Sequence, residues 1–275
     1  MSISFSVVIP YYNKQYSINR AVNSCLSNSY IDEVIIIDDG SVDEVIIDSI
    51  SERVKVYKKE NGGVSSARNF GINKANSPFI ILLDADDELL PSFSSKLMQM
   101  IEDNPNGSLY ALNYFLGKKG TLRKNRRFVL NPFNYVTCLK YNIYPFCSSS
   151  VCINRDRYLK FPSGVTHGED IITWLRYYEE KGIVYSNEMH SIYHFDDEGS
   201  AVSSSGVNLD VISKYILFLN DKDRRIVLNR FILQSLKRFI LARESISKHS
   251  FNYYSSLYQT LEYIGILLIS KLRGL

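Results

Sequence analysis

The sequence predicts an α/β fold in which a mostly parallel central sheet is covered by helices on both faces. Short segments that are apolar throughout are typical of strands buried on both sides. Amphipathic helical stripes alternate with these segments along the first hundred residues, as the crossovers between parallel strands require. The composition, with 45% hydrophobic and 22% charged residues in 275, is that of a globular protein with a large core.

Four apolar segments are the predicted strands of the first half. They are Phe5–Ile9, Val34–Ile37, Val54–Tyr57 and Phe79–Leu83. The first is stopped by Pro10, and the second and fourth are followed directly by aspartates. Ligands of parallel α/β sheets bind beyond the carboxyl ends of the strands, so the residues after these segments are the candidates for chemistry.

Apolar residues at helical spacing predict the intervening helices. The predicted helices are one containing Ile18–Leu26, one over Val64–Ala75, one over Leu89–Ile101 with Pro91 in its first turn, and one that begins just after Gly168-Glu169-Asp170. Strands are predicted again at Ser108–Phe115 and Phe146–Ile153. The basic segment 118–127 between them lacks interleaved aromatics and any recognition motif, which excludes nucleic acid as the partner. It is interpreted as a solvated hairpin or a contact with an anionic acceptor or lipid headgroup.

Charge divides the chain into two regions. Residues 205–275 carry a net charge of +6, whereas residues 1–204 carry −3. We therefore expect a basic, α-helical C-terminal region after residue 204. The four cysteines form no CxxC pair, the N-terminus has no signal-peptide pattern, and no aliphatic segment approaches the ~20 residues of a membrane span. These features favour a cytoplasmic protein with reduced thiols.

The segment Asp84-Ala85-Asp86-Asp87 is the strongest candidate site. Two carboxylates two residues apart at a strand end can share a divalent cation, because hard oxygen ligands suit Mg²⁺ or Mn²⁺. An acidic cap that complements the dipole of the next helix is an equal alternative.

Three other segments have two interpretations each. Asp38-Asp39-Gly40-Ser41 can present a carboxylate to a base or a ribose, or it can be a polar turn. Asn61–Ile72 can aim Arg68 at a nucleotide, or it can be a helix start with a surface arginine. Glu169-Asp170 can supply a general base, although an N-cap carboxylate is favoured without further context.

The order of these pieces, from Ser6-Val7-Val8-Ile9-Pro10-Tyr11-Tyr12-Asn13 to Gly168-Glu169-Asp170, closely resembles the family 2 glycosyltransferases, which are inverting nucleotide-sugar enzymes of GT-A fold. The resemblance covers about residues 4–195 and points to the members that build bacterial surface polysaccharides. It implies a GT-A catalytic domain over residues 1–204, with a nucleotide-binding half (1–105) and an acceptor-binding half (106–204).

The resemblance also implies roles for individual residues. Asp39 would pair with the uracil ring and Tyr12 would flank it, with Arg68 as a second uracil or phosphate contact. Asp84 would hold the ribose, and Asp86 would ligate the Mn²⁺ or Mg²⁺ that bridges the diphosphate. The other residues assigned to the donor site are Pro10, Asn13, Lys14 and Ala85. Asp170 matches the catalytic base, with Glu169 beside it near the acceptor.

One position departs from the family pattern. Many members have Tyr-Arg where this chain has Tyr193-His194, which puts an arginine contact to the diphosphate in doubt. His194 has two interpretations: a replacement for that arginine or a metal ligand, and a packed core histidine.

The implied activity is transfer of a hexose or N-acetylhexosamine from a UDP-sugar to a saccharide or lipid-linked saccharide, in the synthesis of O-antigen, capsule or lipopolysaccharide. The alternatives are a sugar-phosphate nucleotidyltransferase and a non-catalytic sugar-nucleotide binding module. The apolar residues of segment 254–269 recur at helical spacing beside Lys271 and Arg273. This pattern is typical of a helix on an anionic membrane surface, and equally of packing on the catalytic domain or a homodimer interface.

Overall fold

The computed structural model describes residues 3–49, 51–118, 120–125, 133–141, 143–165, 167–195 and 216–229. Its strands are β1 (Phe5–Tyr11), β2 (Ile31–Asp38), β3 (Val54–Lys58), β4 (Phe79–Leu82), β5 (Glu88–Leu89), β6 (Leu109–Lys118), β7 (Thr121–Lys124), β8 (Val151–Asn154) and β9 (Ile183–His194). Its helices are α1 (Gln15–Leu26), α2 (Val64–Lys74), α3 (Phe93–Asp103), α4 (Tyr135–Lys140) and α5 (Glu169–Glu180).

The strands of the described residues form one sheet in the order β3-β2-β1-β4-β8-β6-β9-β5, with β7 paired to β6. Parallel pairing joins β3, β2, β1 and β4, and it also joins β6 to β9. Antiparallel pairing places β8 between β4 and β6 and attaches β5 and β7. Six of these nine strands therefore run in one direction, and the predicted α/β class with a mostly parallel sheet is confirmed.

Alternate residues of the central strands face two separate cores. Val7 and Ile9 point to a cluster with α1 and α3, whereas Val8 joins a cluster with α2, α4 and α5. Both faces are apolar because each face is covered by helices, which explains the uninterrupted Val and Ile segments.

Several element boundaries differ from the prediction. Leu89 lies in β5 and not in a helix, and α3 begins after Pro91, at Phe93. The strand predicted over Phe146–Ile153 begins only at Val151, because residues 148–150 form a short 3₁₀ turn. The segment 118–124 is a β6–β7 hairpin whose second strand is exposed along its length, as interpreted from its charge.

The C-terminal region is described only over residues 216–229, of which 221–229 are helical. Ile216, Leu219, Val227 and Leu228 are buried in the core cluster that contains α5, so this stretch packs against the same face of the sheet as α2, α4 and α5. The amphipathic segment 254–269 lies outside the described residues, as does the range 205–215. Within the described part of the chain, no helix is long and apolar enough to cross a membrane.

Candidate active site

The parallel strands bring the candidate residues to one edge of the sheet. Tyr11 pairs in register with Asp38, and Asp38 pairs with Lys58 on the next strand. On the other side of β1, Val8 pairs with Leu82, so the loop that begins at residue 83 opens at the same edge. The loops after β1, β2, β3 and β4 therefore meet there, as the topology of parallel sheets requires.

Asp39 lies in a ring of donors just beyond β2. Its carboxylate accepts hydrogen bonds from the backbone N–H groups of Gly62 (3.1 Å) and Gly63 (2.7 Å), and the Lys59 Nζ lies at 2.5 Å. Gly63 has φ +82°, a left-handed conformation that favours glycine, and this turn aims both N–H groups at Asp39. Asp39 is consequently a buried acceptor with three donor groups, two of them from the backbone of the segment Asn61-Gly62-Gly63 that follows β3.

The loop after β1 is tied to the loop after β2 in both directions. The Asn13 N–H donates to Ser41 Oγ (3.0 Å), and Asn13 Oδ1 accepts from the Val42 N–H (3.1 Å). Asn13 adopts φ +51°, which asparagine tolerates better than most residues. These two hydrogen bonds fix the chain on either side of Asn13. Tyr12 is half exposed at the carboxyl edge of the sheet, and Pro10 of β1 still pairs with Ile37 of β2.

Arg68 contacts carboxylates from two segments that are far apart in the sequence. Its Nη2 lies 2.8 Å from Asp84 Oδ1, and its Nη1 lies 3.0 Å from Glu169 Oε1. The guanidinium is almost fully buried, 5.4 Å from the centre of the Phe161 ring. Burial opposes its charge, but Asp84 and Glu169 outweigh burial and raise the pKa of Arg68 above its ordinary value. Arg68 is therefore a permanent cation that ties α2 to the loop after β4 and to the start of α5.

Asp170 is a buried carboxylate of this site whose acidity is strongly altered. Burial raises its pKa to about 7, the negative charge of Glu169 adds to the rise, and Arg68 acts against it. Its Oδ1 accepts a hydrogen bond from the Ile171 N–H at 2.8 Å in the first turn of α5. Gly168 enters that helix with φ +84°. A carboxylate that exchanges its proton near neutral pH is suited to general-base chemistry.

The acidic segment after β4 divides into two parts. Asp87 is buried and accepts hydrogen bonds from the Ser149 hydroxyl and, at 2.9 Å, from the His194 N–H. Burial and the nearby charges of Asp84 and Asp86 raise the pKa of Asp87. Asp87 thus fastens the end of β9 to this loop. Sequence reasoning missed Ser149, which also accepts from the Asp84 N–H (3.0 Å); the Ser148-Ser149-Ser150 triplet was its only signal.

The exposed part of the segment can take a cation. The side chains of Asp84 and Asp86 are 30% and 18% exposed, and Ala85 between them is buried. Within the described residues, no three His, Cys, Asp or Glu side chains converge on a metal position. One or two carboxylates suffice for Mg²⁺ or Mn²⁺ when a substrate supplies phosphate oxygens, so the donor set fits such an ion bound together with a nucleotide.

His194 lies beside this segment, and its ring contacts Glu88. Its Nε2 is 2.7 Å from Glu88 Oε1, and its side chain is 16% exposed. Glu88 also lies 3.3 Å from the Arg20 Nε. Asp86 itself is held by the Lys14 Nζ at 2.6 Å.

Comparison with known proteins identifies the fold and the family. The family model described as glycosyl transferase family 2 matches residues 6–161. An uncharacterized glycosyltransferase of Haemophilus influenzae is 30% identical over 195 residues, which cover 68% of this chain and 77% of that protein. The minor teichoic acid biosynthesis protein GgaA of Bacillus subtilis is 34% identical over 142 residues, which cover 45% of this chain and 31% of GgaA. This chain thus spans only about a third of GgaA.

Among solved structures, residues 1–349 of Staphylococcus aureus TarS in complex with UDP-GlcNAc match with a TM-score of 0.65 and 18% identity. The match covers 83% of this chain and 72% of the TarS chain, so the two proteins share a fold. The family model spans more than half of the chain and includes the strand-end segments that form the edge described above. The chain belongs to glycosyl transferase family 2.

Proposed function

We propose that this protein transfers a hexose or N-acetylhexosamine from a UDP-sugar to a hydroxyl of a saccharide or lipid-linked saccharide in the synthesis of a surface polysaccharide. The observation that carries the proposal is the buried Arg68, which holds Asp84 and Glu169 within 3.0 Å of one guanidinium. Arg68 thereby brings Asp84, the proposed donor-site carboxylate, close to the start of α5, where Asp170 lies.

The donor would lie along the strand edge, with its base near Asp39 and Tyr12 and its ribose near Asp84. Asp39 is surrounded by hydrogen-bond donors. Tyr12 is half exposed, as a ring that flanks a base must be. The fold shared with TarS, whose structure contains UDP-GlcNAc, supports UDP as the nucleotide. Residues 1–105 would form this half, and residues 106–204 the acceptor half.

Asp86 would hold a Mn²⁺ or Mg²⁺ ion, which would supply positive charge to the diphosphate. The position of His194 against Glu88 favours a supporting role for its ring over direct ligation in the nucleotide-free protein. Arg68 cannot reach a phosphate without leaving its two carboxylates, so we assign it to positioning Asp84 and Glu169.

Asp170 would act as the base. The acceptor hydroxyl gives its proton to Asp170 while its oxygen bonds to the anomeric carbon, and the bond between that carbon and the diphosphate breaks with departure of UDP. A single displacement inverts the configuration, so an α-linked donor gives a β-linked product.

The acceptor and the location of the protein are proposed from charge and from similarity to known proteins. The similarity to GgaA supports a role in polymer synthesis at the bacterial surface. The exposed basic hairpin and the +6 charge of residues 205–275 would suit an anionic acceptor or lipid surface. We therefore propose a cytoplasmic enzyme that is peripheral on the inner face of the membrane, with a homodimer through the C-terminal helices as the other outcome.

A screen of nucleotide sugars for thermal stabilisation, with and without Mn²⁺, tests the donor assignment, because a bound ligand raises apparent stability by mass action. We expect a UDP-sugar to stabilise the wild type and the control Asp32→Asn, whose exposed carboxylate lies at the opposite edge of the sheet, and to stabilise Asp39→Asn far less. No response to any nucleotide sugar would refute the proposal. Formation of a nucleoside triphosphate from the nucleotide sugar and added pyrophosphate would indicate a nucleotidyltransferase, and nucleotide-sugar binding without transfer to an acceptor would indicate a binding module.

A further inference from the structure

Lys14 forms an ion pair at the position where a metal ligand is expected. Its Nζ lies 2.6 Å from Asp86 Oδ2, and the two side chains are only 16% and 18% exposed. The hydroxyl of Tyr16, at 3.1 Å, accepts a further hydrogen bond from the same ammonium.

The backbone around Lys14 is fixed by the neighbouring loop and by α1, whereas its ammonium stands at the end of a flexible side chain. Asn13 is tied to the loop after β2, and Lys14 is the N-cap residue of α1. The flexible four-carbon stem of a lysine can swing its charge by several ångströms from such an anchor. Arg68, in contrast, is fixed by two carboxylates and an aromatic ring.

An ammonium and a divalent cation compete for Asp86. A Mg²⁺ ion binds a carboxylate oxygen at about 2.1 Å, and its charge repels a lysine that contacts the same carboxylate. A cation that arrives alone must therefore displace Lys14 into solvent. A diphosphate that arrives with the cation brings several anionic oxygens, which give the displaced ammonium a new partner.

We propose that Lys14 occupies Asp86 in the nucleotide-free protein and thereby makes divalent-cation binding depend on the simultaneous binding of a nucleoside diphosphate, to which Lys14 then moves. This inference rests on the proposed donor site. Lys14 is then a positioning residue that keeps free Mn²⁺ from binding to Asp86 until the nucleoside diphosphate binds.

The test measures Mn²⁺ binding without any turnover, by electron paramagnetic resonance of free Mn²⁺ or by titration calorimetry. Lys14→Met should bind Mn²⁺ in the absence of nucleotide about tenfold more tightly than the wild type, the change expected for removal of a mostly buried competing ion pair. The double variant Lys14→Met/Asp86→Asn should lose this gain. Lys59→Met is the matched control: it removes an ammonium 2.5 Å from Asp39 at the same edge and should leave nucleotide-free Mn²⁺ affinity unchanged.

The second measurement is the coupling between Mn²⁺ and UDP, which is reciprocal at equilibrium. UDP should increase Mn²⁺ affinity by a larger factor in the wild type than in Lys14→Met, because the variant has no ammonium that competes with Mn²⁺ for Asp86. Equal nucleotide-free Mn²⁺ affinity in the wild type and in a folded Lys14→Met or Lys14→Gln variant would overturn the inference, even if UDP binds normally. Failure of UDP to bind to the wild type with Mn²⁺ would instead refute the proposed donor site.

Discussion

Replacement of Arg68 by methionine removes the cation at the centre of the site while keeping a side chain of similar length. The substitution leaves Asp84 and Glu169 without the guanidinium that now lies 2.8 and 3.0 Å away. Arg68 is 3% exposed, so water cannot take its place without opening the packing between α2 and α5. We expect this variant to fold but to be markedly less stable.

The size of the effect follows from the burial of the partners. Breaking a buried ion pair by removing one partner typically costs about 3–5 kcal/mol, because the remaining charge is uncompensated. The Glu169 side chain is 10% exposed and remains in that class, whereas Asp84, at 30%, gains partial solvation. We therefore expect a loss of about 3 kcal/mol. At about 2–4 °C per kcal/mol for a chain of this size, Tm should fall by roughly 6–12 °C.

The dependence on pH separates a charge effect from a packing effect. The variant leaves two carboxyl groups without their cation, and carboxyl groups in general lose their charge in acid. The stability deficit should therefore be full at pH 7 and should shrink in acid, near the ordinary carboxyl pKa of about 4.

Thermal unfolding followed by circular dichroism from about pH 3.5 to pH 8 measures this deficit. The control is Arg53→Met, since Arg53 donates to the neutral carbonyls of Ile31 (3.0 Å) and Leu26 (3.1 Å) and leaves no carboxylate behind. Its deficit should be about 1–2 kcal/mol and nearly independent of pH. A deficit for Arg68→Met that is equally independent of pH, or no larger than the control, would refute this account of the site.

Three further predictions concern catalysis and the C-terminal region. Asp170→Asn should retain donor binding but lose at least about 100-fold in transfer, and wild-type activity should rise as the pH passes through about 7, where the base loses its proton. If Glu169→Gln removes activity instead, the two roles are reversed. Asp86→Ala should abolish transfer and the Mn²⁺ dependence of UDP binding. Tm should change little, because the Asp86 side chain lies outside both core clusters. Normal turnover of this variant would contradict the metal assignment. The full chain should float with anionic liposomes at low salt, whereas a chain ending at Asn252 should not, and retention of both in solution would make the C-terminal helices a packing or dimer element.

The sequence predicted the first half of the fold well because its signals are local. A strand covered on both faces must be apolar at every position, and β1, β2 and β4 are each recognisable from a single segment of Val, Ile, Leu or Phe. The aspartates that follow β2 and β4 were placed at the carboxyl edge of the sheet for the same reason, since parallel strands all end there.

Parts of the second half were harder to predict because β9, unlike β6 and β8, is only partly buried. Most residues of β9 are neither fully buried nor fully exposed, and its sequence alternates weakly between apolar and polar residues. It pairs with β6 through two register shifts, which a periodic pattern cannot reveal. β5 has two residues, too few for any periodicity, and the short turn over residues 148–150 hid Ser149 inside a predicted strand.

The site also depends on a contact that no local pattern contains. Glu169 and Asp170 are adjacent in sequence, but Arg68, 101 positions before Glu169, lies 3.0 Å from Glu169. Burial and the charge of Glu169 raise the pKa of Asp170, and Arg68 lowers it. One residue from α2 thus contacts Asp84 and Glu169 and also opposes the rise in the pKa of Asp170. A change at Arg68 therefore alters the surroundings of both Asp84 and the proposed base, so neither can be changed independently of the other.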